Sequence, residues 1–318
     1  MTQQTIKLIE LLNEGKTCNQ ICDYFGITNK QLYVKLKNLK SKGFFFKRQY
    51  YSDGSLVYLP MKRTTDIKDL KRDNSNILFT GHNETNLHCL AISDLHYGNC
   101  CQREDLINEI FNYCIKEGIH IIFCCGDIID GTYSQSEKII KEPFKQIEYF
   151  IKKYPFDKNI LTFSVMGDHD LTSIRYSLHQ DFTEMIYNNR NDIILVMDNE
   201  QIVKVKNDQI GLYHKLNNLD PLCSLILNGH IHSYCYRQKD NTISIVVPSL
   251  SDITQTFPAA LDINIEFFNG YITSINSKQL IYNKSFMTVS EVETELPKIK
   301  SKIKLPIKYE EYSKERKK

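Results

Sequence analysis

The chain has 318 residues, of which 42% are hydrophobic and 25% are charged, the balance of an ordinary globular protein. Its apolar runs are all shorter than the about eighteen residues of a membrane helix, which argues against a membrane protein. The N-terminus lacks a basic start followed by an apolar core, so no signal peptide is predicted and we expect a cytoplasmic location.

The ten cysteines predict buried thiols rather than disulfides. Two pairs are adjacent in the sequence, Cys100-Cys101 and Cys124-Cys125, which does not suit a disulfide framework. No Cys-x-x-Cys pair occurs, so a structural zinc ribbon is not predicted. We expect these side chains to act as small hydrophobic residues in a reducing compartment.

The net charge of +2 is unevenly distributed along the chain. Residues 1–85 carry 14 Lys+Arg against 8 Asp+Glu (+6), residues 86–297 carry 17 against 27 (−10), and residues 298–318 carry 9 against 3 (+6). Basic ends suit contacts with nucleic acid, and an acidic middle suits a cation site. A solvated surface would explain each run as well, so charge alone does not decide between these interpretations.

The first sixty residues predict three helices. Apolar residues recur at helical spacing over 5–14. Two Thr-x-x-Gln capping boxes, starting at Thr17 and Thr28, would open further helices over 18–24 and 29–42.

A hairpin is predicted next, because the β-prone runs FFFKRQYY and LVYLP flank an Asp-Gly turn at Asp53-Gly54. Three short helices and a hairpin resemble a winged helix-turn-helix domain, which we assign to residues 1–62. Residues 63–85 are mostly polar with little periodicity and are predicted to be a linker.

Beyond residue 86 the pattern alternates between strands and helices, which indicates an α/β domain over 86–285. Strands are predicted at 87–93, 120–125 and 160–165, and helices at 103–117, 136–153 and 173–188. Residues 193–281 are strand-rich, and residues 286–318 are predicted to form a basic C-terminal tail.

Five short polar clusters each follow a predicted strand, where an α/β sheet presents its loops to a ligand. The clusters are Asp94-Leu-His96, Gly126-Asp127-Ile-Ile-Asp130, Gly167-Asp168-His169-Asp170, Tyr213-His214 and Gly229-His230-Ile-His232. Aspartate and histidine at alternate positions can supply two ligands to one metal ion, and the glycines let the backbone pass close to the ions. One such cluster is weak evidence, but five in this order are strong evidence for a metal site.

The order D-x-H, G-D-x-x-D, G-D-H-D, H, G-H-x-H resembles that of the calcineurin-like metallophosphoesterases, over residues of about 88 to 250. The resemblance implies an α/β sandwich of two mixed sheets, packed face to face and flanked by helices. It also implies a site for two divalent metal ions. The implied ligands are Asp94, His96 and His232 for one ion, Asp168, His214 and His230 for the other, and Asp127 as the bridge between them.

Three further roles follow from the same resemblance. His169 would protonate the leaving oxygen, Asp170 would orient His169, and Asp130 would fix the orientation of a ligand from the second shell. Two cations about 3.5–4 Å apart can activate a water and neutralise charge on phosphate oxygens. A mixed Asp/His ligand set suits manganese first, with iron or zinc as alternatives.

The chain departs from the family pattern in two places. Asp168 stands where the family normally has Asn, which adds a negative charge beside an anionic substrate. Lys215 follows His214, where a small residue is often found. An inactive relative with a vestigial metal site is the alternative interpretation of the whole set.

The runs ISDLHYG, CGDIIDG, MGDHD and NGHIHS are similar to those of the SbcD-like DNA repair exonucleases and of the small subunit of archaeal replicative polymerases. Serine/threonine phosphatases of the superfamily have Arg-Gly after the second cluster and Glu after the motif histidine. Gly131 and Asp170 stand at those places here, which disfavours a protein phosphatase.

The predicted third helix favours a nucleic-acid substrate. Its leucines would pack inward, and its basic and aromatic residues would face a DNA groove, with further contacts from the wing. The predicted DNA-binding residues are Lys30, Tyr33, Lys37, Lys40, Lys47 and Arg48.

The first hypothesis is therefore a metal-dependent DNA nuclease, positioned on DNA by its winged helix and hydrolysing phosphodiester bonds. The second is a phosphatase or cyclic-nucleotide phosphodiesterase acting on a small substrate, with the winged helix as a regulatory or dimerisation element in a homodimer. The third is a non-catalytic DNA-binding protein whose phosphoesterase domain is only a scaffold. The sequence leaves all three open.

Overall fold

A computed structural model describes residues 2–61, 75–81, 83–132, 137–176, 182–254, 256–283 and 285–296. The helices over these residues are α1 (Gln3–Asn13), α2 (Cys18–Phe25), α3 (Asn29–Lys40), α4 (Glu104–Glu117), α5 (Pro143–Lys153), α6 (Asp168–Tyr176) and α7 (Phe182–Asn189). The strands over the same residues are β1 (Phe46–Tyr51), β2 (Leu56–Pro60), β3 (Ser75–Phe79), β4 (Asn86–Ile92), β5 (Ile121–Cys124), β6 (Leu161–Ser164), β7 (Ile193–Leu195), β8 (Glu200–Val205), β9 (Asp208–Tyr213), β10 (Leu225–Asn228), β11 (Cys235–Lys239), β12 (Thr242–Val246), β13 (Ala259–Phe268), β14 (Tyr271–Tyr282) and β15 (Phe286–Glu295).

The N-terminal helices begin where the sequence predicts, because both capping boxes form. The Thr17 hydroxyl accepts a hydrogen bond from the Gln20 backbone N–H at 3.2 Å, and the Gln20 side chain accepts one from the Thr17 N–H at 3.0 Å. Thr28 and Gln31 make the same reciprocal pair. Gly26 ends α2 with a φ of 61°, a left-handed conformation that glycine adopts without a Cβ clash.

β1 and β2 form the predicted antiparallel hairpin, with Arg48 opposite Tyr58. β1 also pairs in parallel with β3, where Tyr50 lies opposite Leu78, and β3 pairs with β8. The hairpin is therefore continuous with an eight-stranded sheet whose order is β11-β12-β10-β9-β8-β3-β1-β2.

The second sheet has seven strands in the order β15-β14-β13-β4-β5-β6-β7. β4 to β7 are parallel to one another, and β13, β14 and β15 add antiparallel partners on one side. Both sheets are thus mixed, as the predicted fold class requires.

The two sheets pack face to face because their strands alternate between two apolar layers. On β4, Cys89 and Ala91 join a core shared with the other sheet, for example with Val203 of β8. Leu90 and Ile92 point the opposite way, into a second core with the helices α4, α5 and α7. The fold is therefore an α/β sandwich of two mixed sheets flanked by helices, with an N-terminal helical region.

The N-terminal helices share the inter-sheet core. Leu12, Ile21 and Leu32 are fully buried and belong to the same apolar cluster as the inner faces of both sheets. The domain boundaries at residues 62 and 85 stay predictions, and residues 62–74 between them lie outside the described residues.

Two strands were not expected from the sequence. β3 lies within 63–85, for which a linker was predicted, and β15 lies within the predicted tail 286–318. Both have weak patterns: Ile77 of β3 is 38% exposed, and β15 is a largely exposed edge strand rich in glutamate. Their partners, β1 and β8 for β3 and β14 for β15, supply the ladder that holds them. Residues 297–318 of the tail lie outside the described residues.

Two predicted helices also differ. The helix predicted over 136–153 begins only at Pro143, with residues 133–136 outside the described part of the chain. The stretch 173–188 contains parts of two helices, and the first, α6, already begins at Asp168 in the third polar cluster.

All ten cysteines are free, and seven of them are buried, as predicted for small hydrophobic residues. Within the described residues, no helix combines the length and apolar character needed to cross a membrane.

Candidate metal centre

The five polar clusters meet at one edge of the sandwich. Asp94, Asp127 and Asp168 follow the carboxyl ends of the parallel strands β4, β5 and β6. His214 and His230 follow β9 and β10, which are parallel neighbours in the other sheet. The parallel strands of both sheets therefore deliver their loops to a common site.

The first predicted ligand set is assembled. Asp94, His96 and His232 each offer a ligand atom within 4.8 Å of the others. The Nε2 atom of His232 lies 3.1 Å from Asp94 Oδ1, and the Nε2 atom of His96 lies 4.0 Å from the same oxygen.

The second set is assembled as well. Asp168, His214 and His230 also bring their ligand atoms within 4.8 Å of one another. Asp127 lies between the sets: its Oδ2 atom is 3.2 Å from His214 Nε2 and 4.0 Å from His96 Nε2. That position fits the predicted bridging role.

Several buried atoms at this site that could bind a metal ion have no hydrogen-bond partner among the described residues. They include Asp94 Oδ1, His96 Nε2 and His214 Nε2, on side chains that are at most 1% exposed. A buried polar atom without a partner is costly, and a cation satisfies an oxygen lone pair and an imidazole nitrogen together. The residues present therefore fit a divalent metal ion.

The backbone at the site is strained. Asp94, His96, Asp127, His230 and His232 all have φ between 48° and 72°, the left-handed region that residues other than glycine rarely adopt. Strain of this kind persists where the surrounding structure holds it and clusters at functional sites. Five of the seven predicted ligands carry it.

Two glycines are required by close approach. A Cβ atom on Gly167 would overlap Asp127 Oδ1, and a Cβ atom on Gly229 would overlap the hydroxyl of Ser93. That hydroxyl donates a hydrogen bond of 2.5 Å to Asp94 Oδ2. The glycines thus let the loops close around the carboxylates, as the sequence suggested.

Asp130 lies behind the ligands. Its Oδ1 atom is 3.5 Å from His96 Nδ1 and accepts a hydrogen bond from Asn99 Nδ2 at 2.9 Å, and its Oδ2 atom contacts the Lys138 ammonium. Burial raises the pKa of Asp130, but the contacts with His96, Lys138 and Asn99 outweigh burial and lower that pKa overall. Asp130 is therefore an anion placed to orient the His96 ring. Asn99 and Lys138 were missed by the sequence analysis, since neither stands in a recognisable motif.

His214 occupies the position about which Lys215 raised doubt. Its Nδ1 atom lies 2.8 Å from the carbonyl oxygen of Cys125, which turns Nε2 toward Asp127. Burial lowers the pKa of His214, but the close contact with the Asp127 carboxylate and its negative charge raise that pKa to about 9. A metal ion would have to displace that proton.

The expected orientation of His169 by Asp170 is wrong. The His169 Nδ1 atom lies 2.7 Å from the backbone carbonyl oxygen of Asp130. Asp170 instead accepts hydrogen bonds from the backbone N–H groups of Gly167, Ile128 and Ile129 at 2.8 to 3.1 Å.

The physical reason is that Asp170 lies in the first turn of α6 and points into the protein. It is 2% exposed, and burial together with the charge of Asp127 raises its pKa to about 7. Asp170 therefore ties the loops after β5 and β6 together. The Nε2 atom of His169, on a side chain that is 15% exposed, is left facing the site, 4.0 Å from Asp127 Oδ2.

The predicted DNA-binding residues divide into two groups. Lys30, Lys37, Lys40 and Lys47 are exposed. Tyr33 and Arg48 are half-buried, and both contact α7. The Tyr33 hydroxyl donates a hydrogen bond to Asn188 Oδ1 at 3.0 Å, and the Arg48 guanidinium lies 4.7 Å from the centre of the Tyr187 ring.

The part of the chain that carries these ligands also matches a known family. Residues 87–232 match the family described as calcineurin-like phosphoesterase. No curated protein matches the chain.

Solved structures similar to this chain include Vacuolar Protein Sorting 29 from Cryptosporidium parvum, with 16% identity, 67% of this chain and 100% of that chain covered, and a TM-score of 0.40. They also include the phosphoesterase Yfce from E. coli, with 13% identity, 64% and 98% covered, and a TM-score of 0.42. A third is an archaeal phosphodiesterase, with 13% identity, 61% and 99% covered, and a TM-score of 0.40. The match over 87–232 contains every predicted ligand described above, and this segment of the chain is therefore similar to the calcineurin-like phosphoesterase family.

Proposed function

We propose that this protein is a metal-dependent phosphoesterase that hydrolyses phosphodiester bonds with two divalent metal ions. The observation that carries the proposal is that buried atoms of Asp94, His96 and His214, each able to bind a metal ion, have no hydrogen-bond partner among the described residues. One ion would be held by Asp94, His96 and His232, the other by Asp168, His214 and His230, with Asp127 shared.

When bound, the two ions supply positive charge to the phosphate oxygens and lower the pKa of an attacking water. The side chains of the protein do the rest. The Asp130 carboxylate faces His96 Nδ1 at 3.5 Å, and the Cys125 carbonyl oxygen holds the His214 ring through Nδ1. Both rings therefore present Nε2 to the site in a fixed orientation.

His169 is the proposed acid. Its Nδ1–H donates to the Asp130 carbonyl oxygen, so the ring is held while Nε2 carries the mobile proton. Transfer of that proton to the departing oxygen would complete the cleavage. The Asp/His ligand set favours manganese, with iron and zinc as alternatives.

DNA is the substrate proposed first, with the protein acting as a nuclease. Support comes from the +6 charge of residues 1–85 and from the exposed lysines Lys30, Lys37, Lys40 and Lys47. An N-terminal winged helix-turn-helix module that positions the enzyme on DNA remains part of this proposal.

One observation favours a small nucleotide substrate instead. Tyr33 and Arg48 of the N-terminal region face α7 rather than solvent, and the hairpin is part of a sheet of the sandwich. An N-terminal region fixed in this way suits a regulatory element better than a DNA-binding module. The two substrates are distinguished by direct assay.

The test starts from metal-free full-length protein to which Mn²⁺ is added. Linear duplex DNA, single-stranded DNA and bis-p-nitrophenyl phosphate are compared as substrates. His169→Ala should abolish hydrolysis. His120→Ala is the matched control, because His120 precedes β5 at the opposite end of that strand and should leave activity unchanged.

Cleavage of DNA by the wild type and the control, but not by His169→Ala, supports the nuclease. Hydrolysis of only the small ester supports a nucleotide phosphodiesterase. Metal binding without hydrolysis of any substrate would refute the catalytic proposal and favour the non-catalytic scaffold.

A further inference from the structure

A groove separates the N-terminal region from the sandwich, away from the clusters that form the metal centre. It lies between α3, the β1–β2 hairpin and α7, and has a volume of about 640 Å³. We call it the α3–α7 groove. The residues that line it include Tyr33, Lys37, Lys40, Arg48, Tyr58 and Tyr187.

The groove is positively charged. Among the described residues that line it, Lys37, Lys40 and Arg48 stand against the single carboxylate of Glu184, which gives this lining a formal charge of +2. The recorded neighbours of the Arg48 guanidinium are tyrosine rings, and no carboxylate of the described residues forms an ion pair with it. A half-buried guanidinium without a counter-ion is a good site for an anion such as a phosphate, which matches its planar fork of donors.

The groove is also aromatic. The Arg48 guanidinium lies 4.7 Å from the centre of the Tyr187 ring and 5.8 Å from that of Tyr58. Phe45 and Phe46 add further aromatic surface. Rings of this kind form platforms on which a nucleic-acid base stacks.

A second observation points to a missing partner. Tyr58 is only 6% exposed, yet its hydroxyl has no hydrogen-bond partner among the described residues. A buried hydroxyl is rarely left unsatisfied, and a ligand in the groove that Tyr58 lines could supply the partner.

We propose that the α3–α7 groove is a second ligand site, which binds a nucleotide. Its phosphate would contact Arg48, Lys37 and Lys40, and its base would stack on the tyrosine rings. The volume lies within the range of about 300–1,000 Å³ that is common for small-ligand pockets. The nucleotide is either free or part of a single strand. Duplex DNA is not the expected ligand, because Tyr33 is bonded to α7 on the face that would enter a DNA groove.

The test uses the full-length chain with Mn²⁺, and AMP, single-stranded oligo-dT, a duplex and inorganic phosphate as probes, in calorimetric titrations. The variants are Lys37→Ala/Lys40→Ala, Arg48→Met and the control Lys47→Ala. Lys47 is the exposed neighbour of Arg48 on β1 and does not line the groove. Hydrolysis of bis-p-nitrophenyl phosphate is measured in parallel, to show that the metal centre is intact.

We expect the double lysine variant and Arg48→Met each to weaken nucleotide binding by about tenfold or more, because each loses charge-assisted contacts with phosphate. Lys47→Ala should bind as the wild type does. Binding of AMP identifies a free nucleotide as the ligand, and binding of oligo-dT alone identifies a single strand.

Three outcomes would overturn the proposal. One is the absence of binding of either nucleotide probe, and another is equal binding to all variants. The third is that inorganic phosphate or duplex DNA binds as tightly as the nucleotides with the same sensitivity to the variants. If Arg48→Met does not fold, the double lysine variant decides alone, since both lysines are exposed.

Discussion

Replacing Asp130 by asparagine tests how far the residues behind the ligands control metal binding. The carboxylate faces His96 Nδ1 at 3.5 Å and contacts Lys138, whose side chain is only 11% exposed. Asp130→Asn keeps the shape but removes the charge. His96 loses the anion that faces its ring, and Lys138 loses its contact with the Asp130 carboxylate.

The expected loss of Mn²⁺ affinity is about 10- to 100-fold, the usual effect of removing a group that orients a ligand, which equals about 1.4 to 2.8 kcal/mol. The metal-free protein should also lose about 3 to 5 kcal/mol of stability, the usual effect of removing one partner from a buried ion pair. The pKa of Asp130 is lowered in the folded protein, so its contribution is present above the ordinary value of 3.8 and is lost as the pH falls below it.

Mn²⁺ affinity is measured by competition with a chelator, and stability by urea denaturation of the metal-free protein. Asp262→Asn is the matched control. Asp262 is a buried carboxylate on strand β13 that also contacts a histidine, His88, and accepts a hydrogen bond from the Tyr113 hydroxyl. The control should lose stability but keep its metal affinity. An Asp130→Asn variant that binds Mn²⁺ as tightly as the wild type would refute the reasoning.

Three more predictions follow from the same geometry. Mn²⁺ affinity should rise with pH up to about 9, because the metal ion must displace the proton of His214. The stability of the metal-free protein should change in the opposite direction: the protonated His214–Asp127 pair stabilises it fully below pH 6.5 and less as the pH rises toward 9. If neither Mn²⁺ affinity nor melting temperature changes across this pH range, His214 does not hold the proton. Gly167→Ala should reduce Mn²⁺ binding at least about tenfold, because its Cβ overlaps Asp127 Oδ1 and must displace that carboxylate; unchanged binding in a chelator assay would count against the close approach. Tyr33→Phe should cost about 1 kcal/mol in urea denaturation through its lost hydrogen bond to α7, whereas Tyr24→Phe, at an exposed position, should cost nothing measurable; equal effects would mean that α3 is not held there.

Local signals in the sequence predicted the parts of the fold that depend on local chemistry. The capping boxes at Thr17 and Thr28 fixed the starts of two helices, since both partners of each box lie within one turn. β3 and β15 could not be found in the same way. β3 pairs with β8, which is remote in sequence, and β15 pairs with β14 on one side only. The periodicity of apolar residues within a strand does not reveal such pairings.

That the predicted ligand residues lie close together could be anticipated for a related reason. Each ligand follows a strand that is buried and therefore easily recognised, and the strand fixes where the loop goes. Contacts between loops were not predictable. The partner of His169 is a backbone carbonyl of Asp130, and a sequence pattern of side chains does not reveal which carbonyl points at which ring.

The contacts of Tyr33 and Arg48 with α7 could not be predicted, for another reason. A helical pattern shows which face of α3 is polar, but it does not show whether another element covers that face. Here α7 covers part of it, through Asn188 and Tyr187. Part of the polar face of α3 therefore packs against α7, and the rest remains exposed.

The carboxylate of Asp168 bears on which phosphoester the site accepts. In the proposed two-metal site, Asp94, Asp127 and Asp168 would contribute three negative charges against four positive charges on two divalent ions, with the histidines neutral. One net positive charge then faces the substrate, which matches the single negative charge of a phosphodiester better than the two charges of a monoester. Asp168→Asn should therefore raise kcat/KM for a monoester relative to a diester, measured with p-nitrophenyl phosphate and bis-p-nitrophenyl phosphate. The exposed Asp252→Asn serves as the control for charge alone. If Asp168→Asn leaves the ratio unchanged, ligand charge does not select the ester, and the preference must come from the shape of the site.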